Sequence, residues 1–206
     1  MSNKKNKSVE HYFTEQPKSK VRLGLIRTYF REKSFEFLTA SGVFSKERID
    51  LGTRLLVENM VLPEKGCILD VGCGYGVVGV AAAVFNPDLH VAMVDVNMRA
   101  IRLARQNAEL NHVWNVEIRR GYLYEPVKDL TFDCIVSNPP VSAGMRTVEA
   151  IITEAPAHLT VEGILQVVVK SKIGGKRLQS VFEKAFGNID VLARGSGYRV
   201  LISKKQ

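Results

Sequence analysis

Two acidic residues and a run of glycines carry the clearest chemical signal in the sequence. Asp70 ends an apolar segment and is followed by Gly72, Gly74 and Gly76, and Asp95 ends the next apolar segment. Glycines behind a strand allow a tight turn and a close approach to a ligand, toward which the amide groups of the following helix point. A carboxylate at Asp70 repels a pyrophosphate and attracts a cation, so the pattern predicts a ligand with an amino or sulfonium group.

Spacing alone also allows a dinucleotide-binding turn, because Gly74, Gly76 and Gly79 match its glycine pattern. In that turn the first glycine directly follows the strand; here Gly72 holds that place, and Val77 stands five residues on where the pattern requires a glycine. Together with the acidic Asp70, this mismatch with the dinucleotide pattern favours a cationic ligand. A dehydrogenase is kept as the less favoured alternative.

The two acidic residues are expected at one edge of a sheet, because parallel strands bring their carboxyl ends together there. A carboxylate at Asp95 can accept two hydrogen bonds from a ribose diol. Val96 and Asn97 then lie where they would border an adenine ring. These positions predict a nucleoside beside the cationic group.

A third feature is the turn Asn138-Pro139-Pro140, which follows a later apolar segment. Proline fixes φ and removes an N–H donor, so this turn presents hydrogen-bond acceptors in a rigid frame. Taken alone, it is equally typical of an ordinary end of a strand; beside the glycine turn and Asp95, it is a candidate for substrate binding.

These residues need a sheet that places several strand ends side by side. From residue 67 onward, short apolar segments alternate with helical patterns, which is typical of a doubly wound, Rossmann-like α/β fold. We expect a mainly parallel seven-stranded sheet whose closing hairpin supplies an antiparallel C-terminal edge strand. The expected strands are 67–71, 90–96, 116–119, 132–137, 164–170, 189–194 and 198–203, and helices are expected at 50–59, up to 85, 97–111, 147–159 and 176–186.

The N-terminal part is predicted to be separate from this sheet. Residues 1–33 are interpreted as a basic extension, with a short helix over 21–33, and residues 34–206 as the main domain. A β-hairpin is expected over 34–45, because Phe35 and Phe37 alternate with polar neighbours and Ala40-Ser41-Gly42 is a turn signal.

Composition points to a globular cytoplasmic protein. The 206 residues are 46% apolar, contain no stretch resembling a membrane span and begin without a secretory pattern. Cys67, Cys73 and Cys134 lack the spacing of a disulfide framework, and the four histidines lack metal-ligand spacing, so no metal is expected.

The net charge of +8 is concentrated at the two ends of the chain. Residues 1–33 carry nine Lys and Arg against three acidic residues, and residues 170–206 carry nine against two, whereas the middle is net acidic. Lysine-rich ends can simply promote solubility. They can also form a phosphate-binding surface, which predicts RNA as a partner of both terminal segments.

The sequence resembles the class I S-adenosylmethionine-dependent methyltransferases. The resemblance is carried by the glycine turn from Asp70 to Gly76, by Asp95 and by Ser137–Pro140. The stretch FLTASGVFSKERIDLGT and the closing Gly197–Val200 are similar to the catalytic domain of the bacterial small-subunit ribosomal RNA guanine-N2 methyltransferases, and to archaeal stand-alone relatives. The resemblance covers roughly residues 10–204, without the second, degenerate domain of the bacterial enzymes.

This resemblance implies S-adenosyl-L-methionine as the cofactor and an amine as the methyl acceptor. The Asn138 side-chain oxygen and the Pro139 carbonyl would hold the amine, with Pro140 completing the catalytic turn. The implied cofactor-binding residues are Asp70, Gly72, Gly74, Gly76, Asp95, Val96, Tyr122 and Asn138.

The sequence departs from this family's pattern at two places. Val141 replaces the aromatic residue that many amine methyltransferases use to stack on the substrate, so Phe44 and Val141 are the predicted substrate-binding residues and stacking is assigned to Phe44. A core position in the hairpin is the equal alternative for Phe44. Tyr122 stands where related enzymes often carry an aspartate for the adenine amine, and we expect it to cover the adenine ring instead.

The predicted function is therefore methylation of an exocyclic base amine in RNA, with guanine N2 of ribosomal RNA as the favoured target. Two alternatives remain at this point. The same turn serves enzymes that methylate the amide of a protein glutamine. A non-catalytic module that binds S-adenosylmethionine and RNA would share the cofactor residues without turnover.

Overall fold

The computed structural model describes residues 21–139, 144–172 and 175–206. It opens with an antiparallel hairpin, in which β1 (Leu23–Phe30) pairs with β2 (Lys33–Ala40). The predicted helix over 21–33 is wrong, and the hairpin predicted over 34–45 is displaced. Arg31 and Glu32 form the turn with φ of 44° and 66°, a backbone twist that matches the flanking strands, whereas Ala40-Ser41-Gly42 leads out of the hairpin.

The main sheet follows the predicted apolar segments closely. Its strands are β3 (Gly66–Val71), β4 (Leu89–Asp95), β5 (Val116–Arg120), β6 (Phe132–Ser137), β7 (Leu159–Lys170), β8 (Asp190–Gly195) and β9 (Tyr198–Lys204). Their order across the sheet is β5-β4-β3-β6-β7-β9-β8. The pairs from β5 to β7 are parallel, whereas β9 runs antiparallel to both of its neighbours. The outermost strand beyond β9 is β8.

Helices cover both faces of the sheet, which confirms the doubly wound α/β prediction. They are α1 (Leu51–Asn59), α2 (Val77–Phe85), α3 (Met98–Leu110), α4 (Met145–Glu154) and α5 (Gly175–Phe186). The first three pack with the hairpin into one apolar core, and α4 and α5 pack into the other. Strands buried between two helical layers read as continuous apolar runs, which is why they were recognisable in the sequence.

Two asparagines of α3 attach the hairpin to this fold. Asn107 accepts from the backbone N–H of Leu38 at 2.7 Å and donates to its carbonyl at 3.0 Å. Asn111 does the same with Glu36, at 3.1 and 2.7 Å. Asn107 also donates to the carbonyl of Tyr75 at 2.8 Å, so the hairpin, α3 and the glycine turn are held together. Among the helices of the described residues, none is long and apolar enough to cross a membrane.

Candidate active site

A cavity of about 570 Å³ opens at the carboxyl ends of β3, β4 and β6, where open α/β sheets bind ligands. Sequence reasoning had selected many of the residues that line it, namely Phe44, Asp70, Gly72, Gly74, Asp95, Val96, Tyr122, Asn138 and Pro139. Gly76 shapes the loop without lining the cavity. The predicted Pro140 and Val141 lie outside the described residues.

The glycine turn is fixed by the strand beside it. The backbone N–H groups of Gly72 and Cys73 donate to the carbonyl of Val94 at 2.8 and 3.0 Å. The φ angles of Gly72, Gly74 and Gly76 are 72°, 57° and 91°, a region that residues with a Cβ rarely adopt. The loop conformation therefore explains the glycine spacing, and α2 begins directly behind it.

Asp70 is buried at the base of the cavity and accepts a hydrogen bond from the Gly79 N–H at 2.9 Å. A Cβ at Gly79 would lie 2.3 Å from the sulfur of Met93, so the missing side chain lets α2 approach β4 and deliver this N–H. Burial raises the pKa of Asp70 to about 7; the Gly79 hydrogen bond opposes the rise, and the nearby Asp95 adds to it. A cation in the cavity would favour the ionised carboxylate.

Asp95 closes the same side of the cavity. Its Oδ2 accepts from the Gly74 N–H at 2.9 Å and its Oδ1 from the Asn97 N–H at 2.8 Å. Burial raises the pKa of Asp95, and these backbone hydrogen bonds oppose the rise. A carboxylate has about four lone-pair sites, so acceptor capacity remains for a hydroxyl group. Asp70, Gly72, Gly74, Gly76 and Asp95 are called the glycine-loop side below.

Asn97, which was expected near an adenine ring, has a structural role instead. It is fully buried, and its side-chain oxygen caps α3 by accepting from the N–H groups of Arg99 and Ala100. Its amide nitrogen donates to the carbonyl of Gly42 at 2.9 Å. Its neighbour Val96 lies on the cavity wall.

Asn138 belongs to a cluster of four polar side chains on the cavity wall, which we call the asparagine cluster: Asp50, Thr53, Asn138 and Tyr198. The Asn138 amide nitrogen donates to the Thr53 hydroxyl at 2.8 Å and to Asp50 Oδ2 at 3.2 Å. The Tyr198 hydroxyl donates to Asp50 Oδ1 at 3.2 Å. Sequence reasoning identified Asn138, placed Asp50 only at the start of the helix predicted over 50–59, and missed Thr53 and Tyr198, although both lie in the segments that carried the family resemblance.

Three further side chains line the cavity from separate elements. Phe44 is half-buried on the wall, next to the buried Val43. The Tyr122 ring is 47% exposed and follows β5. Lys170, which sequence reasoning had counted only as part of the basic C-terminal segment, ends β7 on the wall. Within the described ranges, no three His, Cys, Asp or Glu side chains come together as a group that can hold a metal.

This fold and this cavity are those of a Rossmann-like enzyme with a nucleoside-type ligand at the strand ends. The family model described as "Methyltransferase small domain" matches residues 34–202, and the chain belongs to that family. Family membership confirms the predicted enzyme class and the predicted cofactor, S-adenosylmethionine. The residues present fit this cofactor, because a buried carboxylate and a second acceptor share one cavity with a glycine turn.

Individual relatives extend this comparison. The chain is 39% identical over 198 residues to the uncharacterized protein YbxB of Bacillus subtilis (strain 168), covering 95% of this chain and 98% of that protein. It is 34% identical over 171 residues to the ribosomal RNA small subunit methyltransferase C of Aeromonas hydrophila, covering 81% of this chain and 48% of that enzyme. The chain thus spans about half the length of the relatives that carry that enzyme name.

A solved structure shares the fold. The 16S rRNA N2 G1207 methyltransferase RsmC of T. thermophilus, in complex with AdoMet and guanosine, superposes with a TM-score of 0.81 at 23% identity. The match covers 92% of this chain and 52% of that one. At this identity the likeness establishes the common architecture.

Proposed function

We propose that this protein transfers the methyl group of S-adenosylmethionine to an exocyclic amine of an RNA base, with guanine N2 of ribosomal RNA as the substrate. The observation that carries the proposal is the position of Asn138-Pro139, on the wall of the cavity that also contains Asp70 and Asp95. One cavity therefore combines groups suited to a cationic nucleoside cofactor with acceptors suited to an amine.

The glycine-loop side provides the cofactor contacts. S-adenosylmethionine, when bound, supplies an electrophilic methyl group on a sulfonium that is also a good leaving group. Asp70 provides the negative charge for the cationic part of the ligand, and Asp95 accepts from the ribose hydroxyls. Val96 and Tyr122 border the adenine.

The asparagine cluster provides the acceptor contacts. The side-chain oxygen of Asn138 and the carbonyl of Pro139 accept the two hydrogens of the substrate amine. These two hydrogen bonds draw the nitrogen out of conjugation with the base and direct its lone pair at the methyl carbon. A methyl transfer to this nitrogen would form the N–C bond at the expense of the cofactor's S–C bond, and the methylated amine would release one proton to water. Positioning and preorganised acceptors are sufficient for such an in-line transfer, so no strong base is required.

Charge and kinship support RNA as the substrate. Relatives at 31–34% identity are named ribosomal RNA small subunit methyltransferase C. Lys170 lies on the cavity wall and Lys172 follows it on an exposed turn, where both can meet phosphates. Part of the C-terminal positive charge is already neutralised, since Arg177 pairs with Glu149 and Lys204 with Glu162. Lys170 on the cavity wall and Lys172 on the turn beside it are the proposed phosphate contacts of this segment.

The proposal is tested with labelled S-adenosylmethionine and three acceptors: deproteinised ribosomal RNA, assembled small subunits and total protein. We expect label in RNA, recovered as N2-methylguanosine after nuclease digestion and mass spectrometry. Label in protein alone would replace the RNA substrate with a glutamine amide. Cofactor binding without transfer to any acceptor would favour the non-catalytic module.

A further inference from the structure

The carboxylate of Asp50 is surrounded by donors from three parts of the chain. Its Oδ2 accepts from the backbone N–H groups of Gly52 at 2.9 Å and Thr53 at 3.1 Å, and from the Asn138 amide nitrogen at 3.2 Å. Its Oδ1 accepts from the Tyr198 hydroxyl at 3.2 Å. Oδ2 is thus shared by three donors, whereas Oδ1 has one donor and keeps a second lone-pair site. A helix cap needs only the first two of them.

This arrangement decides which way the Asn138 amide faces. The two ends of an asparagine amide differ, because the nitrogen only donates and the oxygen only accepts. An acceptor-only carboxylate must meet the nitrogen, and the Thr53 hydroxyl at 2.8 Å takes a second donor position of the same NH₂ group. Turning the amide over would place the Asn138 oxygen against the Asp50 carboxylate. The oxygen of Asn138 is therefore kept available on the cavity side.

The contact between Tyr198 and α1 depends on a residue with no side chain. A Cβ at Gly52 would lie 2.7 Å from the Tyr198 ring, so glycine at this position makes room for the ring over the start of the helix. Burial and the neighbouring Asp50 raise the pKa of Tyr198, which keeps its hydroxyl protonated as a donor. Tyr198 thus contacts Asp50 at Oδ1, the carboxylate oxygen that does not contact Asn138.

We infer that Asp50 is a positioning residue for methyl transfer, which fixes the Asn138 amide with its oxygen toward the substrate and thereby selects an amine over a carbonyl. Tyr198 in β9 and Thr53 in α1 support the same orientation of the amide. We call the contacts of Asp50, Thr53 and Tyr198 that fix the Asn138 amide the amide lock. The inference rests on the proposed function for its catalytic consequence. The orientation of the amide is a property of the protein alone.

Two substitutions separate the lock from the helix cap. Asp50→Ser keeps a good capping oxygen but is too short to reach Asn138 and Tyr198. Asp50→Asn keeps the shape and can still place an acceptor oxygen at the Oδ2 position, so it removes the charge but keeps the contact with the Asn138 amide. Asp88, exposed in the turn before β4 and remote from the cavity, supplies the matched controls Asp88→Ser and Asp88→Asn.

The first measurement needs no substrate. In protein labelled with ¹⁵N-asparagine, the Asn138 amide pair is assigned by its loss in Asn138→Ala. We expect these two protons to be downfield and slow to exchange in the wild type, and to move toward free-amide values with faster exchange in Asp50→Ser. An Asn138 pair with free-amide shifts in the wild type, or one unchanged by Asp50→Ser, would overturn the inference.

The second measurement separates the effect on kcat from the effects on KM and on cofactor affinity. With labelled ribosomal RNA, Asp50→Ser should lose about tenfold to a hundredfold in kcat and Asp50→Asn should lose less, while KM for RNA and the affinity for S-adenosylmethionine stay within about twofold. A rise in KM with unchanged kcat would overturn the positioning role, because it would make Asp50 a direct substrate contact. If no RNA is methylated while the amide signals respond as expected, the proposed substrate fails and the amide lock stands.

Discussion

The glycine-loop side and the asparagine cluster face one cavity but are assembled in different ways. The glycine-loop side comes from two neighbouring strands and the loop between β3 and α2, with Gly74 and Asp95 joined by a hydrogen bond across 21 residues. The asparagine cluster joins the start of α1, the end of β6 and the start of β9. Its hydrogen bonds span 85 residues from Thr53 to Asn138 and 148 residues from Asp50 to Tyr198.

The two regions also carry different electrostatics. On the glycine-loop side, Asp70 is buried and accepts a hydrogen bond from the Gly79 N–H. Burial raises the pKa of Asp70, because the charged form of the carboxyl group is poorly stabilised there. In the asparagine cluster, Asp50 is satisfied by protein donors. The first region is therefore built to gain from a cationic ligand, and the second to keep its shape whether or not a substrate is present. The variants below should separate loss of affinity from loss of turnover.

The largest effect is expected for Asn138→Ala. Removing one preorganised acceptor from a transfer site costs about 10²–10³ in kcat. Affinity for S-adenosylmethionine, measured by calorimetry, should change by less than about threefold, because Asp70 and Asp95 remain. Asn115→Ala removes an amide that donates to the Leu89 carbonyl at the far edge of the sheet, and it serves as the control. A parallel loss of cofactor binding in Asn138→Ala would remove the distinction between the two regions.

Asp70→Asn should produce the next largest effect, this time on affinity. The amide oxygen can still accept from the Gly79 N–H, so the variant removes charge with little change of shape. Loss of one charged contact in a buried site should weaken S-adenosylmethionine binding about tenfold to a hundredfold. Asp133→Asn is the control, because Asp133 accepts from the Cys67 N–H at the opposite end of β3. Equal affinities for Asp70→Asn and wild type would show that the Asp70 charge does not contact the cofactor.

The same contrast explains how far the sequence could predict this molecule. The strands and the glycine turn were recognisable because buried parallel strands and left-handed glycines leave local, contiguous patterns. The hairpin was misplaced because its turn, Arg31-Glu32, contains none of the usual turn residues, whereas Gly42 stands beyond the pair. The contacts of Thr53 and Tyr198 with the cluster exist only after three distant elements have packed, so no local spacing could reveal them.

The pH dependence of cofactor binding should sharpen the difference in electrostatics. Burial raises the pKa of Asp70 to about 7 in the free protein. Below this pH the carboxyl group is mostly protonated, and binding of a cationic ligand requires release of that proton. Affinity for S-adenosylmethionine should therefore rise by up to about tenfold per pH unit below pH 7 and level off above it, with proton release in calorimetry. Asp70→Asn should lack this rise.

Folding stability should change in the opposite sense. The folded pKa of Asp70 lies above its ordinary value of 3.8, so the folded state holds a proton that the unfolded state has already lost between about pH 4 and 7. Relative to Asp70→Asn, the free wild type should lose up to about 1.4 kcal/mol of unfolding free energy per pH unit across this window. Matching pH profiles in urea unfolding would contradict the burial argument.

The smallest effect is expected at Tyr122, which is the most exposed of the predicted cofactor contacts that the structure describes. Its ring is 47% exposed and no strand holds it in place, so covering an adenine contributes only about 0.5–1.5 kcal/mol. Tyr122→Ala should therefore weaken S-adenosylmethionine binding about twofold to tenfold and leave kcat at saturating cofactor nearly unchanged. Tyr122→Phe keeps the ring and should bind like the wild type. A fall in kcat for Tyr122→Ala would instead place this ring among the groups that hold the RNA base, and would extend the acceptor region beyond the asparagine cluster.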